Sequence, residues 1–130
     1  MKATLVLAAL AAAALAGQAA AQQPASQPRD CFYSGNVRGF SAVDDETVNF
    51  QVGGRNDIVQ VKLFHPSNDL KFANGIALIS RGGSYICSKF DATVVVPGIT
   101  TGIGAQRYPI SSIRRLNAQE VAALPAKQRP

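Results

Sequence analysis

The chain contains no tryptophan, and its aromatic residues are limited to six phenylalanines and three tyrosines. Phenylalanines stand at positions 40, 50, 64, 72 and 90, spread over the central part of the sequence. This even spacing favours a hydrophobic core over a platform on which nucleic-acid bases stack. Basic residues outnumber acidic ones by 13 to 8, but only Arg114 and Arg115 are adjacent. Nucleic-acid-binding proteins usually cluster their basic residues, so we expect no nucleic-acid partner.

Ligands for a metal or a cofactor are also scarce. Two cysteines and the single histidine, His65, are too few for a convincing zinc site. The acidic run Asp44-Asp45-Glu46 lacks the further oxygen ligands of a calcium loop and is better interpreted as a polar turn between strands. The glycine-rich stretch 98–106 has no Gly-Lys-Ser/Thr ending and is interpreted as an exposed loop rather than a phosphate-binding loop. We therefore expect no metal site and no cofactor.

No motif assigns a catalytic residue. His65 could act as a general base oriented by Asp69, and Asp44 and Asp45 could supply carboxylates to a hydrolase-like enzyme. The serines occur in no nucleophile-elbow motif, and His65 equally suits the end of a strand before a proline turn. We expect a protein that is not an enzyme, with the hydrolase as the alternative.

The N-terminus has the three-part layout of a secretory signal peptide. Lys2 supplies the positive charge at the N-terminus, and an apolar run of about 11 residues follows at 5–15. Ala19-Ala20-Ala21 supplies the small residues of a cleavage site. The run is too short to cross a membrane as a permanent anchor, so no stable insertion is expected after cleavage. Cleavage is expected between Ala21 and Gln22, which predicts a periplasmic or secreted protein from a Gram-negative bacterium.

The residue at position 18 decides whether the exported protein carries a lipid. Leu15-Ala16-Gly17 resembles the approach to a lipoprotein cleavage site, which needs a cysteine next because the thiol carries the lipid. Gln18 stands there instead, so the protein is not expected to be a lipoprotein. We assign residues 22–29 to a flexible leader, residues 30–124 to one folded domain and residues 125–130 to a disordered tail.

Cys31 and Cys87 are the only cysteines. In an oxidising compartment two cysteines in a small domain usually pair, although two reduced thiols or a metal pair are alternatives. The loop between them has roughly 57 residues, for which the chain-entropy model gives about 4 kcal/mol of stabilisation.

The middle of the chain alternates polar and apolar residues as β-strands do. Val48, Phe50 and Val52 are predicted to face a core, while Thr47, Asn49 and Gln51 face water. Strands are predicted at 37–43, 47–52, 58–64, 76–80, 85–88, 93–96 and 108–116, the first three forming a meander.

One short helix is predicted after the last strand. Asn117 and Glu120 have the spacing of a capping box, and Pro125 ends the helix. Val121 and Leu124 are expected to pack inward. The fold class is thus mainly β, a small antiparallel sandwich or partly open barrel of six or seven short strands with a C-terminal helix.

Several short segments together carry a family resemblance: Cys31-Phe32, residues 43–48, residues 69–73, Ile86-Cys87 with Asp91, and residues 110–116. In order and spacing they resemble a domain-of-unknown-function family of small exported proteobacterial proteins. The resemblance implies two further cysteines in many members, at positions where this chain has Ser67 or Asn68 and Tyr108. Their joint absence implies no second disulfide here and supports pairing of Cys31 with Cys87. It implies no catalytic residue.

The function expected from these observations is a non-enzymatic binding or envelope-associated module. Its partner is unknown; an envelope protein or an anionic glycan are the possibilities raised by the mildly basic composition. Arg107, Arg114 and Arg115 are the candidates for binding an anionic envelope component.

Overall fold

The structure, a computed structural model, describes residues 31–99 and 102–130. The predicted signal peptide, its cleavage site between Ala21 and Gln22, and the leader at 22–29 lie outside the described residues. Within the described residues, no helix is long and apolar enough to cross a membrane.

The predicted fold class is confirmed: the protein is mainly β, with eight strands in the described residues and a short C-terminal helix. The strands are β1 (Phe32–Tyr33), β2 (Gly39–Ala42), β3 (Thr47–Gln51), β4 (Ile58–Leu63), β5 (Ala77–Ser80), β6 (Tyr85–Ile86), β7 (Ala92–Val96) and β8 (Gln106–Arg115), and the helix is α1 (Ala118–Ala123). Short 3₁₀ turns cover Ser34–Asn36, Leu70–Phe72 and Ala126–Gln128. The two-residue strand β1 is too short to leave a periodic pattern in the sequence, and it was not predicted.

Six strands form an antiparallel half-barrel in the order β2-β3-β4-β8-β7-β5, and β1 pairs with β6 in a separate ribbon. The predicted meander is confirmed as β2-β3-β4, with Phe40 opposite Phe50 and Phe50 opposite Val59. The acidic run between β2 and β3 is the turn that the sequence predicted. The Asp44 carboxylate accepts a hydrogen bond of 2.8 Å from the Glu46 backbone N–H and so holds that turn.

Strand β8 joins the two halves of the half-barrel. Its second half, 110–115, pairs with β4, and its first half, 106–109, pairs with β7. The change of partner falls at Pro109 and Ile110. Proline has no N–H to donate, so it suits the position where hydrogen bonding to one neighbouring strand ends and hydrogen bonding to the other begins.

The hydrophobic core lies on the concave face of the half-barrel. The predicted core residues of the meander are confirmed, because Val48, Phe50 and Val52 are buried and pack with β7 and with Ile110. Phe32 and Ile86 from the β1-β6 ribbon also pack against this cluster. The alternation of the strands therefore determines which side chains enter this core.

The opposite face of the meander is covered by the C-terminal residues, which corrects two predictions. Asn49 was predicted to face water but has 0% exposure, and its Nδ2 donates to the backbone oxygen of Gln128 over 2.9 Å. Residues 125–130 were predicted to be a disordered tail. Instead they contain a 3₁₀ turn, and the hydroxyl of Ser41 donates a hydrogen bond to the backbone oxygen of Lys127 in that turn. A short polar segment gives no periodic signal, so the sequence could not show that it packs on the sheet.

Helix α1 begins with the predicted capping box. Asn117 accepts a hydrogen bond of 2.8 Å from the backbone N–H of Glu120, and the Glu120 carboxylate accepts one of 3.3 Å from the N–H of Asn117. Val121 is buried against Ile58 and Leu116, with Leu124 partly buried beside them. Arg129 donates to the oxygens of Val121 and Ala122 at the end of the helix. The helix is thus held at both ends and along one face.

Cys31 and Cys87 form a disulfide at a sequence separation of 56 residues. It joins the residue before β1 to the residue after β6. The disulfide therefore cross-links the two strands of this ribbon at one end, next to the paired residues Phe32 and Ile86.

Candidate functional site

A surface groove of about 380 Å³ lies where β4 ends, β7 begins and β8 changes partner. Its lining residues are mostly apolar or cationic: Phe64, His65, Arg81, Lys89, Phe90, Ala92, Pro109 and Ile110. We call it the Phe64–Phe90 groove. No residue of this lining is acidic. The groove therefore combines aromatic walls with positive charge.

The backbone fixes both aromatic walls of the groove. Phe64 follows β4, and its N–H donates to the oxygen of Pro109 over 2.9 Å, so its backbone is held at the point where β8 changes partner. Phe90 lies in the loop between β6 and β7. The Asp91 carboxylate accepts 2.9 Å hydrogen bonds from the backbone N–H groups of Cys87 and Ser88 and thereby closes that loop.

The exposed phenylalanines correct the prediction that all five evenly spaced phenylalanines belong to the core. Phe50 is buried, but Phe64, Phe72 and Phe90 are 63%, 61% and 73% exposed. All three lie outside the strands, where the alternation that buries every second residue no longer applies. Two of the three, Phe64 and Phe90, line the groove, and exposed apolar side chains grouped in this way are typical of binding surfaces.

Positive charge surrounds the groove. The ammonium of Lys89 lies 5.1 Å from the ring centre of Phe90, within range of a cation–π interaction. The hydrogen bonds from Cys87 and Ser88, together with one from the Ser88 side chain, lower the pKa of Asp91. This keeps its negative charge engaged with the loop backbone.

His65 lies in the groove, but the carboxylates proposed with it for catalysis are not among the lining residues. The rings of Phe64 and His65 meet edge to face at 5.0 Å. Asp45 forms an ion pair of 3.0 Å with Lys71, and Asp69 is buried at the start of the 3₁₀ turn 70–72. The structure does not bring the predicted catalytic set together in this groove.

A second cavity of about 460 Å³ adjoins the groove and shares two of its residues, Arg81 and Pro109. Its other lining residues are Ile79, Ser80, Thr93 and Arg107. We call it the Arg81–Arg107 cavity. The Nε of Arg81 donates to the hydroxyl of Thr93 over 3.0 Å, which anchors the guanidinium on the sheet.

The three arginines suggested as an anion site do not form one patch. Arg114 pairs with Glu120 and Arg115 with Asp57, and as neighbours in β8 they point to opposite faces of the sheet. Arg115 also donates to the oxygen of Cys31 over 3.1 Å. Of the three, only Arg107 lines a cavity without an ion pair among the described residues. The prediction of a joint site is wrong because two of these side chains stabilise the fold.

The glycine-rich stretch after β7 leads into β8 and not into a helix, as the loop interpretation requires. Residues 100 and 101 lie outside the described part of the chain. Gly98 is needed for close packing, since a Cβ there would collide with the backbone oxygens of Ile103 and Gly104. Among the described residues, no group of three or more His, Cys, Asp or Glu side chains could hold a metal ion.

Sequence reasoning singled out His65 but missed the groove. The signal it could have used is the pair of dipeptides Phe64-His65 and Lys89-Phe90. Each places an aromatic ring beside a basic group at the end of a predicted strand or just beyond it. Rings at these positions do not belong to the alternating residues that the strand buries, so they can face solvent.

Fold and site together define a small, mainly β domain with one disulfide and an open aromatic groove flanked by cations. The model of a family described as a family of unknown function (DUF6491) matches residues 1–130, so the chain belongs to this family. The resemblance noted in the sequence is confirmed to that extent. No curated protein and no solved structure matches the chain.

Proposed function

We propose that this protein is an exported, non-enzymatic binding module of the bacterial envelope, and that the Phe64–Phe90 groove binds its ligand. The ligand is a small molecule with an apolar body and a negative charge. The observation that carries the proposal is the exposure of two phenylalanine rings beside Arg81 and Lys89 in one groove.

The N-terminus and the disulfide support the export part of the proposal. Residues 1–21 have the charge and hydropathy layout of a signal peptide. The bond between Cys31 and Cys87 suits an oxidising compartment such as the periplasm or the exterior of the cell.

The chemistry of the lining supports binding rather than catalysis. General acid–base work needs a second group that orients the base or completes the proton transfer. His65 is the only imidazole of the groove, and the lining contains no carboxylate and no hydroxyl beside it. Apolar walls with a few charged groups are the usual composition of a binding pocket.

The test is binding of an anionic apolar probe, anilinonaphthalene sulfonate, to the oxidised protein recovered after export. We expect saturable fluorescence enhancement that is lost in Phe90→Ala and retained in Phe72→Ala. Phe72 is the matched control because its ring is similarly exposed but does not line the groove. Near-ultraviolet circular dichroism of each variant shows that tertiary packing is intact.

An equal loss of probe binding in both variants, or no saturable binding by the folded protein, contradicts the proposal. The hydrolase alternative predicts instead that His65→Ala removes an activity on an ester or glycoside substrate. We expect the unchanged protein to have no such activity, so that His65→Ala has none to remove. We also expect His65→Ala to change probe binding by less than Phe90→Ala does.

A further inference from the structure

The Arg81–Arg107 cavity and the Phe64–Phe90 groove share Arg81 and Pro109. We propose that together they form one site for a single anionic amphiphile. Its acidic group lies between Arg81 and Arg107, and its acyl chain lies along the groove. This inference rests on the proposed function, since it names the ligand class of the same groove.

Arg81 is positioned to hold an acidic group at the boundary of the two cavities. Its Nε–H donates a hydrogen bond to the hydroxyl of Thr93, a residue that is only 6% exposed. This bond fixes the plane of the guanidinium and leaves its terminal nitrogens to donate to a ligand. A planar guanidinium recognises a carboxylate or phosphate through two parallel hydrogen bonds.

Arg107 lies on the same side of the sheet as Thr93. In the β7-β8 ladder Thr93 is opposite Pro109 and Val95 is opposite Arg107, so all four share one face. Diagonal neighbours in such a ladder are within reach of long side chains. Arg107 can thus approach the acidic group from the side opposite Arg81.

The charges around the site are complementary to an anion. Neither cavity is lined by an acidic residue. The nearest carboxylate along the chain, Asp91, is turned toward the backbone N–H groups of Cys87 and Ser88. Lys89 adds a third cation at the rim over the ring of Phe90.

The groove suits an acyl chain better than a sugar. A sugar presents many hydroxyl groups, which need amide or carboxylate partners when they leave water. The walls here are the side chains of Phe64, Phe90, Ala92 and Ile110, and no asparagine, glutamine or acidic residue lines the groove. This argues against the anionic glycan that the composition alone allowed.

The dimensions suit one molecule rather than a membrane surface. Cavities of about 380 and 460 Å³ are within the range of small-ligand pockets. The acidic head and the chain can both lie along these two adjoining surface cavities. We therefore assign the site to a monomeric amphiphile and not to lipids of an intact bilayer.

The experiment is calorimetric titration of the oxidised protein with dodecanoate below its micelle concentration, beside neutral dodecanol and dodecyltrimethylammonium. We expect dodecanoate to bind at least about tenfold more tightly than either, as a charge-assisted hydrogen bond implies. Arg107→Gln removes this preference and leaves dodecanol affinity unchanged. Arg38→Gln is the matched control, since Arg38 is exposed and lines neither cavity. Phe90→Ala weakens all three.

The outcomes separate this inference from the function on which it rests. Equal binding of the three compounds, with Arg107→Gln unchanged and Phe90→Ala impaired, overturns the amphiphile site but keeps the groove as a binding surface. Absence of binding to all compounds and to the fluorescent probe overturns both. Cosedimentation with phosphatidylglycerol vesicles, without binding of free dodecanoate, overturns the assignment to a monomeric ligand.

Discussion

Arg81 and Thr93 are joined by a hydrogen bond of 3.0 Å from the guanidinium Nε to the threonine hydroxyl. Thr93 is a strand residue of β7, and Arg81 follows the edge strand β5, which pairs with β7. The bond anchors the one cation that both cavities share. A hydroxyl on the outer face of a strand thereby orients the side chain that we propose binds the ligand.

Thr93→Val removes this hydroxyl while keeping the size and branching of the side chain. We expect the dissociation constant for dodecanoate to rise by about fivefold, since one hydrogen bond that orients Arg81 is lost. Thr93→Ser, which keeps the hydroxyl, should bind as the unchanged protein does. Equal affinities for the valine and serine variants, measured by calorimetry, would show that the bond does not position Arg81.

Loss of the disulfide should destabilise the domain. Replacing both Cys31 and Cys87 by alanine should lower the free energy of unfolding by about 2–4 kcal/mol, because the unfolded chain regains the freedom of a long loop. Urea unfolding followed by circular dichroism measures the change. Reductant should lower the stability of the unchanged protein in the same way and have no effect on the double variant. Two alkylatable thiols in the unreduced protein contradict the prediction.

Asn49→Ala tests the packing of the C-terminal residues on the meander. Asn49 donates to Gln128 and accepts from Gln60, so alanine leaves both partners without this bond. We expect a loss of about 1–3 kcal/mol in unfolding free energy. Asn74→Ala, at an exposed turn, is the control and should cost less. If both variants lose the same small amount, the C-terminal residues do not cover Asn49 in solution.

Asn117→Ala removes the cap of α1. The backbone N–H of Glu120 then loses its acceptor, and we expect a loss of about 1 kcal/mol in unfolding free energy. Asn117→Asp keeps an acceptor at the same place and should retain most of the stability. A urea titration in which the alanine and aspartate variants unfold together would argue against the cap.

Acid should weaken the loop that carries Phe90. The backbone hydrogen bonds from Cys87 and Ser88 hold the pKa of Asp91 below its ordinary value of 3.8. A carboxyl whose pKa is lowered by folding adds stability above the unfolded-state pKa and loses that contribution as the pH falls through the folded-state pKa. We therefore expect Asp91→Asn to be less stable than the unchanged protein at neutral pH. The difference should close as the pH falls below about 4. A constant difference in urea unfolding across this range contradicts the prediction.

The strand pattern was readable from the sequence because the side chains that face the core alternate with polar ones along the strands. In β3, for example, Val48 and Phe50 face the core as predicted, and in β4 the alternating residues Val59, Val61 and Leu63 are also buried. The capping box was readable for a similar reason, since Asn117 and Glu120 interact within one turn. Local interactions leave local signals.

Contacts between distant segments explain what the sequence did not show. The burial of Asn49 depends on Gln128, which is 79 residues away in the chain. The groove depends on Phe64 and Phe90, which line one surface only after β8 has paired with both halves of the half-barrel. The amino-acid composition does not distinguish an exposed phenylalanine from a core phenylalanine. Only the assembled sheet shows which of them is buried.

The position of β8 in the chain has a consequence for the order of folding. β4 and β7 both need this strand as a neighbour, and its residues come after both of theirs. During synthesis the β2-β3-β4 meander can form early, but the half-barrel cannot close until residue 115 has emerged. Such late, long-range pairing makes folding slower than in a protein of local contacts. A chain of this topology stays open until nearly all of it is available, which is compatible with transport before folding.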